Sequence, residues 1–123
     1  MDITPLVPQG RQIVQSYAEG RFRVSGEVYE GPVIVFLDRT VKWDVPSNLD
    51  DLTPDHFSEL AASELDVILV GCGQSMRSMP IALRQSLKAR GITIDFMDTG
   101  AACRTYNVLM TEGRRVAAAL LPT

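Results

Sequence analysis

Three apolar segments in the second half of the chain, 67–70, 92–97 and 115–121, are separated by two stretches of helical spacing, and this order constrains the fold more than anything else in the sequence. Pro80 cannot sit deep inside a helix, so the first helix is predicted to begin near Ser78, run through Leu83 and Leu87, and stop after Lys88 and Arg90 at Gly91. Ala102, Tyr106, Leu109 and Met110 mark one face of the second, which Gly113 ends. Strand–helix–strand–helix–strand makes two βαβ units. Each calls for a right-handed crossover between parallel strands.

The first half is strand-like. The segments 13–17 and 21–25 flank Ala18-Glu19-Gly20, and Gly26 and Gly31-Pro32 punctuate the next stretch, as in consecutive hairpins. The run from Pro32 to Leu37 is apolar without alternation and reads as a strand buried on both faces, whereas 41–45 alternates and should keep one wet face. Thr53-Pro54 reads as an N-cap with proline in the first turn, and Phe57, Leu60 and Ala61 at helical spacing extend a short helix over 53–64. The hairpins are expected to add antiparallel strands to one side of the parallel sheet. The expectation is an α/β fold of three layers, with a mixed central sheet, two C-terminal βαβ units and N-terminal antiparallel hairpins, forming a single domain over residues 1–123.

Composition narrows the function. Of the 123 residues 46% are hydrophobic and 22% charged, as in soluble globular proteins, and the formal net charge of −3 supplies no broad positive field for DNA or RNA. The longest apolar run, from Val116 to Leu121, falls far short of the ~20 residues that span a bilayer. The opening MDITPLVPQG lacks the features of a signal or transit peptide, so a cytoplasmic, bacterial protein is expected. Cys72 and Cys103 stand outside any metal-ligand spacing, so no metal and no disulfide is expected.

The stretch VILVGCGQSMRSMP, from Val67 to Pro80, carries the sharpest chemical question. Gly71 and Gly73 supply two glycines of a dinucleotide fingerprint, but Met76 stands in the third position, and no Walker lysine is present after them. Neither NAD(P) nor ATP is expected to bind, and no cofactor is assigned. Cys72 lies where backbone N–H groups could stabilise a thiolate, yet His56 is the only histidine, and it reaches that edge only if strand 41–45 runs parallel to 67–70. No catalytic residue is assigned. If both βα loops share one sheet edge, Gly71, Cys72, Gly73, Gln74, Ser75 and Arg77 from the first, with Asp98, Thr99, Arg104 and Thr105 from the second, form the candidate binding site. Gly73, Ser75, Asp98 and Thr99 should then be neighbours.

The most distinctive string is MDTGAACRTYNVLMTEGRRVAAALLP, residues 97–122. Its Thr105-Tyr-Asn107, Glu112-Gly-Arg114 and closing Val116-Ala-Ala-Ala-Leu-Leu-Pro122, with Gly20-Arg-Phe-Arg-Val-Ser-Gly-Glu-Val-Tyr29 and the Leu69-Val-Gly-Cys-Gly73 turn, resemble a small single-domain family of unknown biochemical activity. That family includes mitochondrial assembly factors of respiratory complex I (NADH dehydrogenase) and Mth-type bacterial and archaeal proteins. The resemblance implies a three-layer α/β fold and brings no catalytic residues. It implies a non-enzymatic binding or assembly module with a protein partner, a membrane-complex subunit or another assembly factor. The alternative is a small-molecule-binding protein or enzyme using the loops 71–78 and 98–105. On its residues alone Tyr106 packs into the core with its hydroxyl at a rim, Asn107 braces backbone, and Glu112 and Arg114 are solvated, with a binding role for the same string as the other reading.

Overall fold

The computed structural model describes residues 10–46, 51–74 and 80–123. Three antiparallel strands, β1 (Val14–Ala18), β2 (Arg21–Val24) and β3 (Glu27–Glu30), form a small sheet of their own. A second sheet of five strands has the order β5-β4-β8-β6-β7, from β4 (Val33–Val35), β5 (Thr40–Lys42), β6 (Val67–Gly71), β7 (Ile94–Met97) and β8 (Val116–Leu120). Strands β8, β6 and β7 run parallel, and β4 pairs antiparallel with both β8 and β5. The mixed α/β architecture is thus as expected, with one correction: only β4 and β5 join the parallel strands. The first three strands instead lie over a face of the large sheet, because Phe22 and Val24 alternate inward on one side of the hairpin and need an apolar layer to cover them.

Both faces of the large sheet are buried. On one, Ile68, Val70, Ala117 and Ala119 meet Leu83 and Leu87 of helix α2 (Ile81–Ala89), together with Trp43, Phe57 and Leu60. Phe57 closes a 3₁₀ turn, Pro54–Phe57, that runs into the short helix α1 (Ser58–Ala61), so the helix expected over 53–64 is tighter and shorter. On the other face, Leu69, Ala118 and Leu120 meet Ala102, Tyr106 and Met110 of helix α3 (Thr99–Thr111), and Phe22 and Val24 cover the neighbouring area. The chain goes out from β6 to β7 over one face and returns from β7 to β8 over the other, as right-handed crossovers in opposite directions require.

The run Val116-Ala-Ala-Ala-Leu120 occupies the middle position of the sheet and is buried throughout. Its alanines leave room for the rings of Tyr106 and Phe22 on one side and Phe57 on the other. Both long helices end in Schellman geometry. Ile92 N–H reaches the Leu87 carbonyl and Gly91 N–H that of Lys88, and Arg114 and Gly113 repeat the pattern on Leu109 and Met110. Gly91 and Gly113 sit at φ +79° and +80°, which glycine alone adopts without strain. The helix start near Ser78 lies outside the described residues; the described part of α2 begins at Ile81, immediately after Pro80.

Candidate functional site

Parallel pairing of β6 with β7 and β8 brings the carboxyl ends of all three to one edge, in register at Gly71, Met97 and Leu120. The loops after β6 and β7 therefore meet. Asp98 caps α3, its carboxylate accepting from Ala101 N–H at 2.8 Å. Thr99, the first residue of the helix, is buried, and its hydroxyl accepts from Gly73 N–H at 2.9 Å and donates to the Leu121 carbonyl at 2.6 Å. Thr99 N–H donates to Gly73 O at 2.9 Å, Leu121 N–H to Gly71 O at 3.0 Å, and Cys72 N–H to Met97 O at 2.8 Å. One threonine stitches three strand ends together.

This network explains the glycine turn. A Cβ on Gly71 would stand 2.9 Å from both Cα and Oγ1 of Thr99 and 3.1 Å from Leu120 Cδ2, so Gly71 is there because α3 begins directly above it. Gly73 differs, adopting φ +99° to turn the chain away from the sheet. In a phosphate-binding turn such N–H groups point at a ligand. Here the Gly73 N–H points at Thr99.

The candidate residues divide accordingly. Gly71, Cys72 and Thr99 are interior, whereas Gln74 and Arg104 are exposed, and Gly73, Asp98 and Thr105 lie between. Gly73 and Thr99 are hydrogen-bonded neighbours, with Asp98 adjoining; Ser75 and Arg77 lie outside the described residues. Arg104 extends across α3 to the Tyr17 hydroxyl at 3.3 Å, and Gly100 leaves the space that this hydroxyl fills.

The thiols are interior groups. Cys72 is 7% exposed and packs with Phe36, Leu83 and Leu121. Strand β5 does run in the direction of β6, the condition set for His56 to approach, but Nδ1 of His56 accepts from the Thr53 N–H at 2.8 Å. That bond occupies the lone pair a base would need, and the neutral ring's other nitrogen carries its proton. Cys103 on α3 is also buried, and desolvation pushes its thiol up to about 12, against activation as a nucleophile.

The Thr105-Tyr-Asn107 string joins the layers. The Tyr106 ring is fully buried and its hydroxyl meets the Gln12 carbonyl at 2.9 Å and the Phe36 carbonyl at 3.1 Å, inside the protein rather than at a rim. Burial holds that phenol well above its ordinary value. Asn107 accepts from Val14 N–H at 3.0 Å and donates to Val14 O at 2.8 Å, bonding β1 as another strand would. Sequence periodicity placed both residues on α3, but their partners lie more than ninety positions away for Gln12 and Val14 and seventy for Phe36. Glu112 and Arg114 are exposed.

The family described as "Protein of unknown function (DUF498/DUF598)" matches residues 14–121, from the start of β1 to the last residue of the site. The chain belongs to this family. Within the DUF498/DUF598 fold, an uncharacterized protein of Rhodobacter capsulatus is 36% identical over 89% of this chain and 83% of its own length. The human NADH dehydrogenase [ubiquinone] 1 alpha subcomplex assembly factor 3 is 33% identical over 89% of this chain, which spans 60% of that protein. The solution structure of a Bordetella pertussis protein described as a Mth938-like domain superimposes with a TM-score of 0.76 at 27% identity, covering 99% of this chain and 92% of that one. None of the three carries an assigned reaction in its description. Among the described residues no helix is long and apolar enough to cross a membrane.

Proposed function

We propose that the chain is a non-enzymatic binding and assembly module, a single α/β domain over residues 1–123, whose partner is a protein. The partner class is a subunit or assembly factor of a membrane respiratory complex, engaged from the cytoplasm of a bacterial cell. The observation that carries this reading is the 33% identity, over 89% of the chain, to an assembly factor of NADH dehydrogenase. The internal hydrogen bonding at the carboxyl edge supports it, because Gly73 N–H and the Thr99 hydroxyl are spent within the fold rather than offered to a small ligand. Gln74 and Arg104 are the exposed members of that edge and are the ones a partner would touch, while Gly71, Cys72 and Thr99 set its shape. Capture of the tagged chain from its own cells, with mass spectrometry of proteins and of co-purified small molecules, tests the proposal. Respiratory-complex subunits or assembly factors in stoichiometric amount are expected. A stoichiometric small molecule without a protein would turn the assignment to a ligand-binding protein or enzyme using the loops 71–78 and 98–105.

A further inference from the structure

Among the described residues β7 ends the large sheet and pairs with β6 alone, which leaves its outer row of backbone groups without a strand partner there. Natural sheet edges are commonly blunted by charge, proline or bulges. Here Ile94 and Phe96 lie partly exposed on the α2 side, and the single charge of the strand, Asp95, projects on the side of α3 beside Leu69. Between α2 and this edge runs a cleft of about 180 Å³ lined by Arg84, Leu87, Lys88, Ile92, Thr93 and Ile94. Its floor is apolar and its rim cationic. Arg84 and Lys88 make no ion pair among the described residues, although the chain carries a net charge of −3.

From this arrangement we infer that β7 is a docking edge that receives an extended acidic segment of a partner protein as a sixth strand. The inference rests on reading the chain as a protein-binding module and names where and what it would bind. Alternation decides the chemistry of the guest. Side chains on its α2 side would lie over Leu87, Ile92 and Ile94 with their ends at Arg84 and Lys88, a position that suits glutamate, whose methylenes cover the floor and whose carboxylate meets the cations. Side chains on the other side would stand next to Asp95 and Met97, where an acid is repelled and valine or threonine is accommodated. A second copy of β7 is a poor occupant, since two-fold pairing of the edge sets each α2 rim against the same cationic rim of the other copy.

The probe is a short capped peptide alternating glutamate with valine, titrated into the isotope-labelled full chain and followed by amide shifts and hydrogen exchange. Binding with Kd on the order of 1 mM or tighter is expected, with shifts and new protection centred on 93–97. A lysine–valine peptide should bind at least about tenfold more weakly, and the double variant Arg84→Glu, Lys88→Glu, both exposed positions, should reverse that preference. Shifts centred elsewhere, equal affinity for the two peptides, or no binding in the millimolar range would overturn the inference. Partner capture separates this from the broader reading. A native partner captured equally by the charge-reversed variant sinks the edge alone, whereas peptide binding with no protein captured from cells sinks the functional assignment alone.

Discussion

Gly71 and Cys72 are adjacent in sequence and opposite in what they tolerate. Sequence alone leaves Gly71 with two readings, a positive φ or a close approach, and the structure decides for the second, since Thr99 Cα occupies the space of a side chain. Gly71→Val should therefore cost at least about 1–3 kcal/mol, because the obstacle is helix backbone rather than a movable side chain. Cys72→Ser keeps the volume and puts a hydroxyl where the thiol faces the Val70 carbonyl at 3.9 Å, so it should cost no more than about 1–3 kcal/mol and leave partner binding unchanged. Urea denaturation of both variants, with partner capture, checks the pair. The buried Cys103 gives a pH signature. Its thiol is held at about 12 against an ordinary 9.0, so between these values the unfolded chain has released a proton that the folded chain retains. The contribution of this thiol to stability is then flat below pH 9 and declines as pH rises towards 12, by up to about 1.4 kcal/mol per pH unit. Denaturation midpoints measured across that window should fall less steeply for Cys103→Ala, and an unchanged slope would remove the thiol as the cause.

Helix α3 shows why some elements were legible and their roles were not. The spacing of Ala102, Tyr106 and Met110 located the helix and its buried face, and glycine at Gly91 and Gly113 located both helix ends, because each of these signals is local. What Tyr106 and Asn107 bond to is set by the packing of β1 and β4 against α3, which no local pattern encodes. The same limit explains the misplacement of the first three strands, whose alternation shows that one face is buried but not against which layer. Tyr106→Phe should cost about 1–3 kcal/mol, because it leaves the Gln12 and Phe36 carbonyls short of a donor. Asn107→Ala removes the side-chain amide from Val14 and should raise hydrogen exchange in β1 more than in β6 or β8. Equal acceleration in all three strands would show that Asn107 contributes to global stability without holding the small sheet.

At the scale of the whole molecule, the fold consists of two apolar faces covered by different means, with the three strand carboxyl ends sewn shut by Thr99. The three-layer α/β class was readable from the strand–helix rhythm and from the family resemblance. The sealing of the carboxyl edge was not, because it depends on a hydroxyl from α3 reaching the turn after β6, twenty-six residues earlier in the chain. With that edge sewn together, the glycine turn serves packing and the proposed role of the protein is assembly, which a deletion strain tests most directly. Native-gel quantification of assembled NADH dehydrogenase should show a marked loss without the chain, restored by the wild type and by Cys72→Ser and poorly by Gly71→Val. Full assembly in the deletion strain, or rescue lost with a well-folded Cys72→Ser and retained with Gly71→Val, would contradict that role.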